Sequence, residues 1–594
     1  MTSAVHLSLA EGQDHDVRDW ERAAAAVLRK AGRLSEDEPD ARVWDRLTLT
    51  TLDGIPVTPL GTPELIKGLQ TSGRPDRTGE WDNRVLLADP DAPRSAAAAV
   101  TDLESGARSL WLQLGAAGIA VQDLPNVLDK VLLDVAPVIL DAPDDPVAAA
   151  RAFADVAPGR VLAAGTNLGA DPVGAAARRA QPVETDEVES VVAEVATLAG
   201  ELGCLALVVD GTAVHDLGAS DGLELGYSLA VGAAYLRVLA AAGHDVTEAA
   251  HLLEFRYAAT DEQFPTIAKL RAARRLWARV LELSGVAAAD RRQCQHAVTS
   301  RPMMSKYDPW VNMLRTCVAA FAAGVGGADA VTVLPFDVRL GLPDAFSRRI
   351  ARNTSALLVS ESHLARVADP AGGSFAVEEL TDDLALTAWD ELGRIEESGG
   401  VLAALGDGSL ADRVENVAER RRAQIATRER PLTGLTEFPN LHERLPERTP
   451  YADGGPPVRP YGEAFERLRD APAAKPVFLA TMGTRAAHGA RAGFASNLFA
   501  VGGVEVVLAG PSDGVDAVVS AYRAQQGELP VVCLAGTDTA YAEWGAELVS
   551  ALRESGVRWV ILAGRPVKGL DADDDCSVGV NAVRFLTRTR EQLA

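Results

Sequence analysis

Ala480-Thr481-Met482-Gly483-Thr484-Arg485-Ala486-Ala487-His488-Gly489-Ala490 decides how this chain is read. The apolar run Val477–Met482 ends a strand, and the small-residue stretch beyond it opens a helix. The alternation continues to the C-terminus. Glu505–Ala509, Val531–Ala535 and Trp559–Ala563 read as further strands, with a fifth near Cys576–Val580. Helices are predicted over 491–500, 514–525, 539–555 and 582–593. This is a doubly wound, flavodoxin-like domain spanning 473–594, and its ligand site belongs at the C-terminal ends of the strands.

Upstream, residues 421–472 break the rhythm. Arg420-Arg421-Arg422 opens the segment, read as a solvated helix face, and Pro431, Pro439, Pro446, Pro450, Pro456, Pro457 and Pro460 predict an extended linker along a surface. Before it, short apolar runs alternate with amphipathic ones, the mark of βα units and a parallel sheet. The strands are placed at Ser109–Leu114, Pro137–Asp141, Arg160–Gly165, Cys204–Asp210, Glu254–Ala259, Cys294–Thr299, Ala328–Leu334 and Ala356–Ser360. Helices are predicted over 123–135, 145–156, 183–202, 221–242, 262–285, 307–324, 343–353 and 378–397. That is the count for a closed (β/α)8, TIM-type barrel, assigned to 61–420. Residues 1–60 read as a helical arm over Val17–Leu34 and a hairpin, Leu47–Leu52 turning at Asp53-Gly54 into Ile55–Pro59.

The chain has 594 residues, more than one compact core accommodates, and a net charge of −25. Such an acidic chain repels nucleic acid and anionic membrane, so neither is an expected partner. Five scattered cysteines without a Cys-x-x-Cys pair predict reduced, mostly buried thiols and no zinc site. No export signal is read at the N-terminus. No uninterrupted apolar run reaches the ~20 residues of a membrane helix, since the stretch 221–242 carries Glu224 and Arg237. A cytoplasmic location is expected. Gly324-Val325-Gly326-Gly327 lacks the acidic partner of a dinucleotide loop, and Asp571–Asp575 reads as a solvated acidic loop.

Gly54–Leu60, Lys269–Arg274, Arg315-Thr316-Cys317, Arg348–Thr354 and Asp369–Ser374 each resemble stretches of coenzyme-B12-dependent acyl-CoA mutases, the methylmalonyl-CoA mutase family. The arm, barrel, linker and flavodoxin-like domain also follow that family's layout, so the resemblance covers nearly the whole chain. It implies a cobalamin-binding loop of pattern Asp-x-His-x-x-Gly at the quoted stretch. Here the Asp position holds Arg485, the cobalt-ligand His position Ala487 and the Gly position Ala490. Ala487 has no lone pair for cobalt. His488 is the remaining metal-ligand candidate; in an extended segment its one-residue shift would point it elsewhere, and it is read as a surface or helix-capping residue. Where the family uses Ser-x-Leu after the third strand, Ala535-Gly536-Thr537 stands. Where it uses Gly-Gly after the fourth, Gly564-Arg565 stands, and the Arg565 side chain is expected to fill the channel.

In the barrel, Trp81-Asp82-Asn83-Arg84-Val85-Leu86-Leu87-Ala88 resembles the family's Trp-x-x-Arg-x-Tyr-Ala-Gly pattern with Leu86 replacing the Tyr. No equivalent of the Arg that grips the substrate carboxylate is found. His296, in Gln295–Ser300, matches the substrate-facing acid and is read as an inherited residue hydrogen-bonded inside a filled barrel.

The resemblance therefore implies no catalytic residue, no bound cofactor and no metal in this chain. It implies a silent small subunit, paired as a heterodimer with a homologous large subunit that holds adenosylcobalamin and interconverts methylmalonyl-CoA and succinyl-CoA. Two alternatives remain: an active mutase binding cobalamin unconventionally, and a regulatory or chaperone-like partner of a mutase.

Overall fold

The computed structural model describes residues 15–594 apart from Glu528. The reading of an unsignalled N-terminus falls on residues 1–14, outside the described residues. The arm helix Val17–Lys30 starts at Asp16, which forms a capping box with Asp19. Strands β1 (Leu49–Thr50) and β2 (Pro56–Val57) pair antiparallel as the hairpin.

Eight parallel strands close into a barrel. They are β3 (Asp82–Leu87), β4 (Ser109–Gln113), β5 (Val138–Asp141), β6 (Asn167–Ala170), β7 (Leu205–Asp210), β8 (Leu253–Ala259), β9 (Cys294–Thr299) and β10 (Ala330–Thr332). The predicted number is right, but two members of the set differ. Ala356–Ser360 is no strand: the helix Ala345–Ala356 runs straight into a π turn, Leu357–Glu361. A short apolar run cannot be told from buried helix by periodicity. The barrel instead begins one unit earlier, at β3, whose Asn83 and Arg84 disguise it. Both are buried and satisfied, Arg84 by Glu254 at 2.8 Å and Asn83 by the Arg352 carbonyl at 3.3 Å.

The fourth strand is displaced as well. Arg160–Gly165 is loop, and β6 follows it. Gly169 in β6 takes φ +68°, and a Cβ there would stand 1.8 Å from the Leu140 carbonyl oxygen. The register between β6 and β7 shifts at this point. A glycine strand with a bulge has no alternation to read. We expect Gly169→Ala to destabilise the chain by about 3 kcal/mol, from left-handed strain plus backbone collision, read as a lower urea midpoint.

The helix Asp221–Ala241 is long and apolar enough to cross a membrane, yet 72% of that apolar window is buried inside the protein. It packs against Phe375–Glu397 and Gln263–Leu283. Its Glu224, fully buried, pairs with the equally buried Lys269 at 2.7 Å. The helix predicted over 123–135 shrinks to Leu124–Leu128, and Pro172–Arg179, helical, was not predicted.

Residues 421–472 are not extended throughout. The helix Ser409–Ala426 runs into the segment and Glu463–Asp470 forms another near its end. Arg421 is not a solvated helix residue: it is buried and donates to the Gly218 and Ala219 carbonyls at 2.6 and 3.0 Å. Glu466 accepts from the Lys306 amide at 2.7 Å and pairs with Arg339 at 3.0 Å, tying the segment to the barrel.

The C-terminal sheet has order β12-β11-β13-β14-β15, all parallel. Its strands are β11 (Val477–Thr481), β12 (Val506–Leu508), β13 (Val531–Ala535), β14 (Trp559–Ala563) and β15 (Asp574–Cys576). The fifth lies slightly before its predicted place. The order reverses between β12 and β13 around β11, so the flavodoxin-type crevice lies at the β11 and β13 C-termini.

Candidate functional site

Two clefts are positioned by this fold: the strand-end crevice of the C-terminal domain and the mouth of the barrel. The crevice is built by the loop after β11. Thr484 caps the helix Arg485–Val501, its Oγ1 accepting from the Ala487 amide at 3.3 Å. The helix thus starts at Arg485, not at 491, and the segment holding Ala487 and His488 is helical rather than extended. At 3.6 residues per turn, neighbours face about 100° apart. Arg485 and Ala490 are exposed and Ala487 half-buried. His488 is neither on the surface nor a cap: it is buried, with Nδ1 3.2 Å from the Gly483 carbonyl. A carbonyl only accepts, so Nδ1 carries the proton of that contact.

At the ends of β13 and β14, Ala535 and Gly536 are buried, and Thr537 caps the next turn by accepting from the Ala540 amide at 3.1 Å. The Tyr541 hydroxyl accepts from the Gly536 amide at 3.0 Å and lies 2.8 Å from the Ala563 carbonyl. Its ring therefore bridges the two strand ends. Arg491 lies over that ring at 5.0 Å and donates to the Gly536 carbonyl at 2.7 Å and to Asp538 at 2.5 Å. A Cβ on Gly564 would meet the Arg491 guanidinium at 3.4 Å. The expected blocking residue is thus corrected: Arg565 is exposed, and Arg491 with Tyr541 packs the crevice. Sequence reasoning missed both. The available signal was one long side chain among small ones in Gly489-Ala490-Arg491-Ala492-Gly493. These residues do not fit a cobalamin held by a lower imidazole, because the position that the resemblance gives to the ligand carries a methyl group and a salt-bridged arginine lies across the strand ends.

The barrel interior is filled around Trp111 of β4, which packs with Leu86, Ile139, Val298 and Leu334. The Arg256 guanidinium stacks over its ring at 4.1 Å and donates to Asp210 at 2.8 Å and Asp141 at 3.2 Å. The Trp111 indole N–H donates to Asp141 at 3.1 Å. Arg178, on the unpredicted helix, also pairs with Asp210. His296 is fully buried, edge-on to Trp111, with Nε2 2.8 Å from the Thr332 hydroxyl and Nδ1 3.4 Å from Arg256 Nε. Arg256 can only donate, so Nδ1 accepts and Nε2 carries the proton. Burial, with Arg84, Arg256 and Arg301 nearby, holds the His296 pKa well below the usual histidine range. The imidazole is neutral near pH 7 and has no acidic proton to deliver.

Asp171, just beyond β6, accepts from the Tyr235 hydroxyl at 2.5 Å and the Gly174 amide at 3.0 Å. Burial first, and the Asp210 charge second, push its pKa up to about 6. A carboxyl with a raised folded pKa keeps its proton longer when folded, so stability falls as pH rises from about 4 through 6. Asp171→Asn removes this dependence. Relative to the unsubstituted chain, the variant should gain about 3 kcal/mol between pH 4 and pH 7 in urea titrations.

A (β/α)8 barrel carrying a flavodoxin-like C-terminal domain is a mutase-type isomerase scaffold. The family profile for methylmalonyl-CoA mutase matches residues 110–454. The methylmalonyl-CoA mutase small subunit of Streptomyces virginiae is 47% identical, covering 99% of this chain and 98% of that protein. The corresponding small subunit of Propionibacterium freudenreichii subsp. shermanii is 35% identical over 92% of this chain and 88% of its own length. The Streptomyces virginiae large subunit is 39% identical over 39% of this chain and 32% of its own. The chain belongs to the methylmalonyl-CoA mutase family.

Proposed function

We propose that this chain is the small, catalytically silent subunit of a heterodimeric methylmalonyl-CoA mutase. Its homologous large partner would hold adenosylcobalamin and carry out the interconversion of methylmalonyl-CoA and succinyl-CoA. The observation that carries this reading is the strand-end crevice at β11 and β13, crossed by Arg491 from the helix after β11 to the Gly536 carbonyl, with Ala487 at the position the resemblance gives to the cobalt ligand. Neutral, buried His296 behind Trp111 supports the same reading of the barrel. The full-length likeness to small subunits supports the pairing.

The division into arm (1–60), barrel (61–420), linker (421–472) and C-terminal domain (473–594) gives each part a role. The barrel contributes a scaffold related to the partner's, and the arm and linker reach across to it. The assembly works in the cytoplasm, and its contribution is stability of the partner. Co-expression with a large subunit should yield one stable complex through size exclusion, carrying one cobalamin per heterodimer. Two cobalamins per heterodimer, or elution as separate chains, would sink the proposal.

A further inference from the structure

One side of the barrel mouth remains open beside the Trp111 plug. A cavity of about 220 Å3 lies at the ends of β3, β4 and β10, and the linker residues Tyr451, Gly454, Pro456 and Val458 close it over. Leu86, Leu334, Val338, Leu342, Pro456 and Val458 give it an apolar wall. Three arginines, Arg301, Arg339 and Arg348, also line it.

The three cations are not equally neutralised. Arg301 pairs with Asp216 at 3.1 Å and Arg339 with Glu466 at 3.0 Å. Arg348 faces the Oδ2 of Asp102 at 4.0 Å, too far for a hydrogen bond, while Arg352 holds the other oxygen, and the charge of Arg348 also reaches Asp89. The cavity's own acid, Asp89, is taken by Arg94 at 2.8 and 2.9 Å. Among the described residues, Arg348 Nε is buried with no hydrogen-bond partner, and so is Arg339 Nε. The Arg348 Nε stands opposite Asp102 Oδ2, which also lacks a hydrogen bond, so a loosely held guanidinium lies beside the cavity's apolar wall.

We propose that this cavity binds an aliphatic monocarboxylate, its carboxylate on Arg348 and its chain along the Leu86, Leu334 and Val338 wall. The volume sets the length. An apolar cavity of about 150 Å3 holds benzene, so this one suits acids of roughly six to eight carbons. The linker forms part of the wall, so occupancy would hold the linker against the barrel. The inference does not depend on whether the chain is catalytically silent.

Calorimetric titration of the full chain with hexanoate and octanoate tests it, with 1-hexanol and dodecanoate as comparators. We expect saturable one-site binding of both short acids, and weaker binding of the neutral alcohol and the over-long acid. Arg348→Gln, at a helix position whose side chain is 22% exposed, should weaken octanoate about tenfold or more in a chain that still folds. Ala88→Phe, which fills the cavity from its rim, should abolish binding. No saturable binding of either short acid would overturn the proposal. So would equal affinity in Arg348→Gln, or affinity that climbs steadily to dodecanoate. If Ala88→Phe does not fold, the Arg348→Gln comparison decides alone.

Discussion

Adenosylcobalamin titrated into the purified chain should produce no saturable change in cobalt absorbance up to about 100 μM, a binding free energy weaker than about −5.5 kcal/mol. Ala487→His alone should not rescue it. An imidazole at 487 would sit on the first turn of a helix, half-buried, while Arg491 still lies across the Gly536 carbonyl and against Gly564. Displacing Arg491 breaks its hydrogen bond to Gly536, its ion pair with Asp538 and its stacking on Tyr541. The cofactor tail would have to supply that free energy before gaining any contact of its own. One equivalent of bound cofactor with a shifted spectrum would remove the central support for silence. His488 would then be the residue to substitute.

Arg256→Ala should be the most damaging substitution in the barrel. It strips the cation from Asp210 and Asp141 in a site where Arg256 is 2% exposed and Asp210 3%. Removing one partner of a buried ion pair costs about 3–5 kcal/mol, because the charge left behind is uncompensated. Trp111 also loses the guanidinium stacked on its face. Arg178 still reaches Asp210 and its charge acts on Asp141, which also keeps the Trp111 indole hydrogen bond, so neither carboxylate is left wholly alone and the loss falls toward the lower end of that range. As a control, Arg422→Ala removes an exposed arginine paired with Glu415 and should stay within about 0.5 kcal/mol. Equal urea midpoints for the two variants would show that the barrel centre is not held by this network.

Much of the architecture was legible because it rests on local pattern. β9, β13 and β14 fall where alternating or continuous apolar runs place them, and the final helix, Ala582–Leu593, does too. β3 was hidden because its polar residues are buried, and only partners far along the chain, Glu254 and Arg352, make that tolerable. β6 was displaced because Gly169 lets the strand bulge against Leu140. Arg421 shows the converse error, where a charged run reads as solvated until two carbonyls more than two hundred positions upstream accept from it.

The sequence by itself determined which residues stand at the loop after β11: a methyl group at 487, an arginine at 485 and an alanine at 490. Those are facts of side-chain chemistry, and folding cannot alter them. Tertiary structure alone decided what occupies the space left behind. Arg491 rather than Arg565 crosses the strand ends, His488 turns inward to Gly483, and Trp111 with Arg256 fills the barrel. Which side chain fills a cleft depends on the direction its Cβ takes from its helix or strand, and that direction is set by where the element begins. Here the helix begins at Arg485, earlier than its apolar pattern, because the Thr484 side chain caps it.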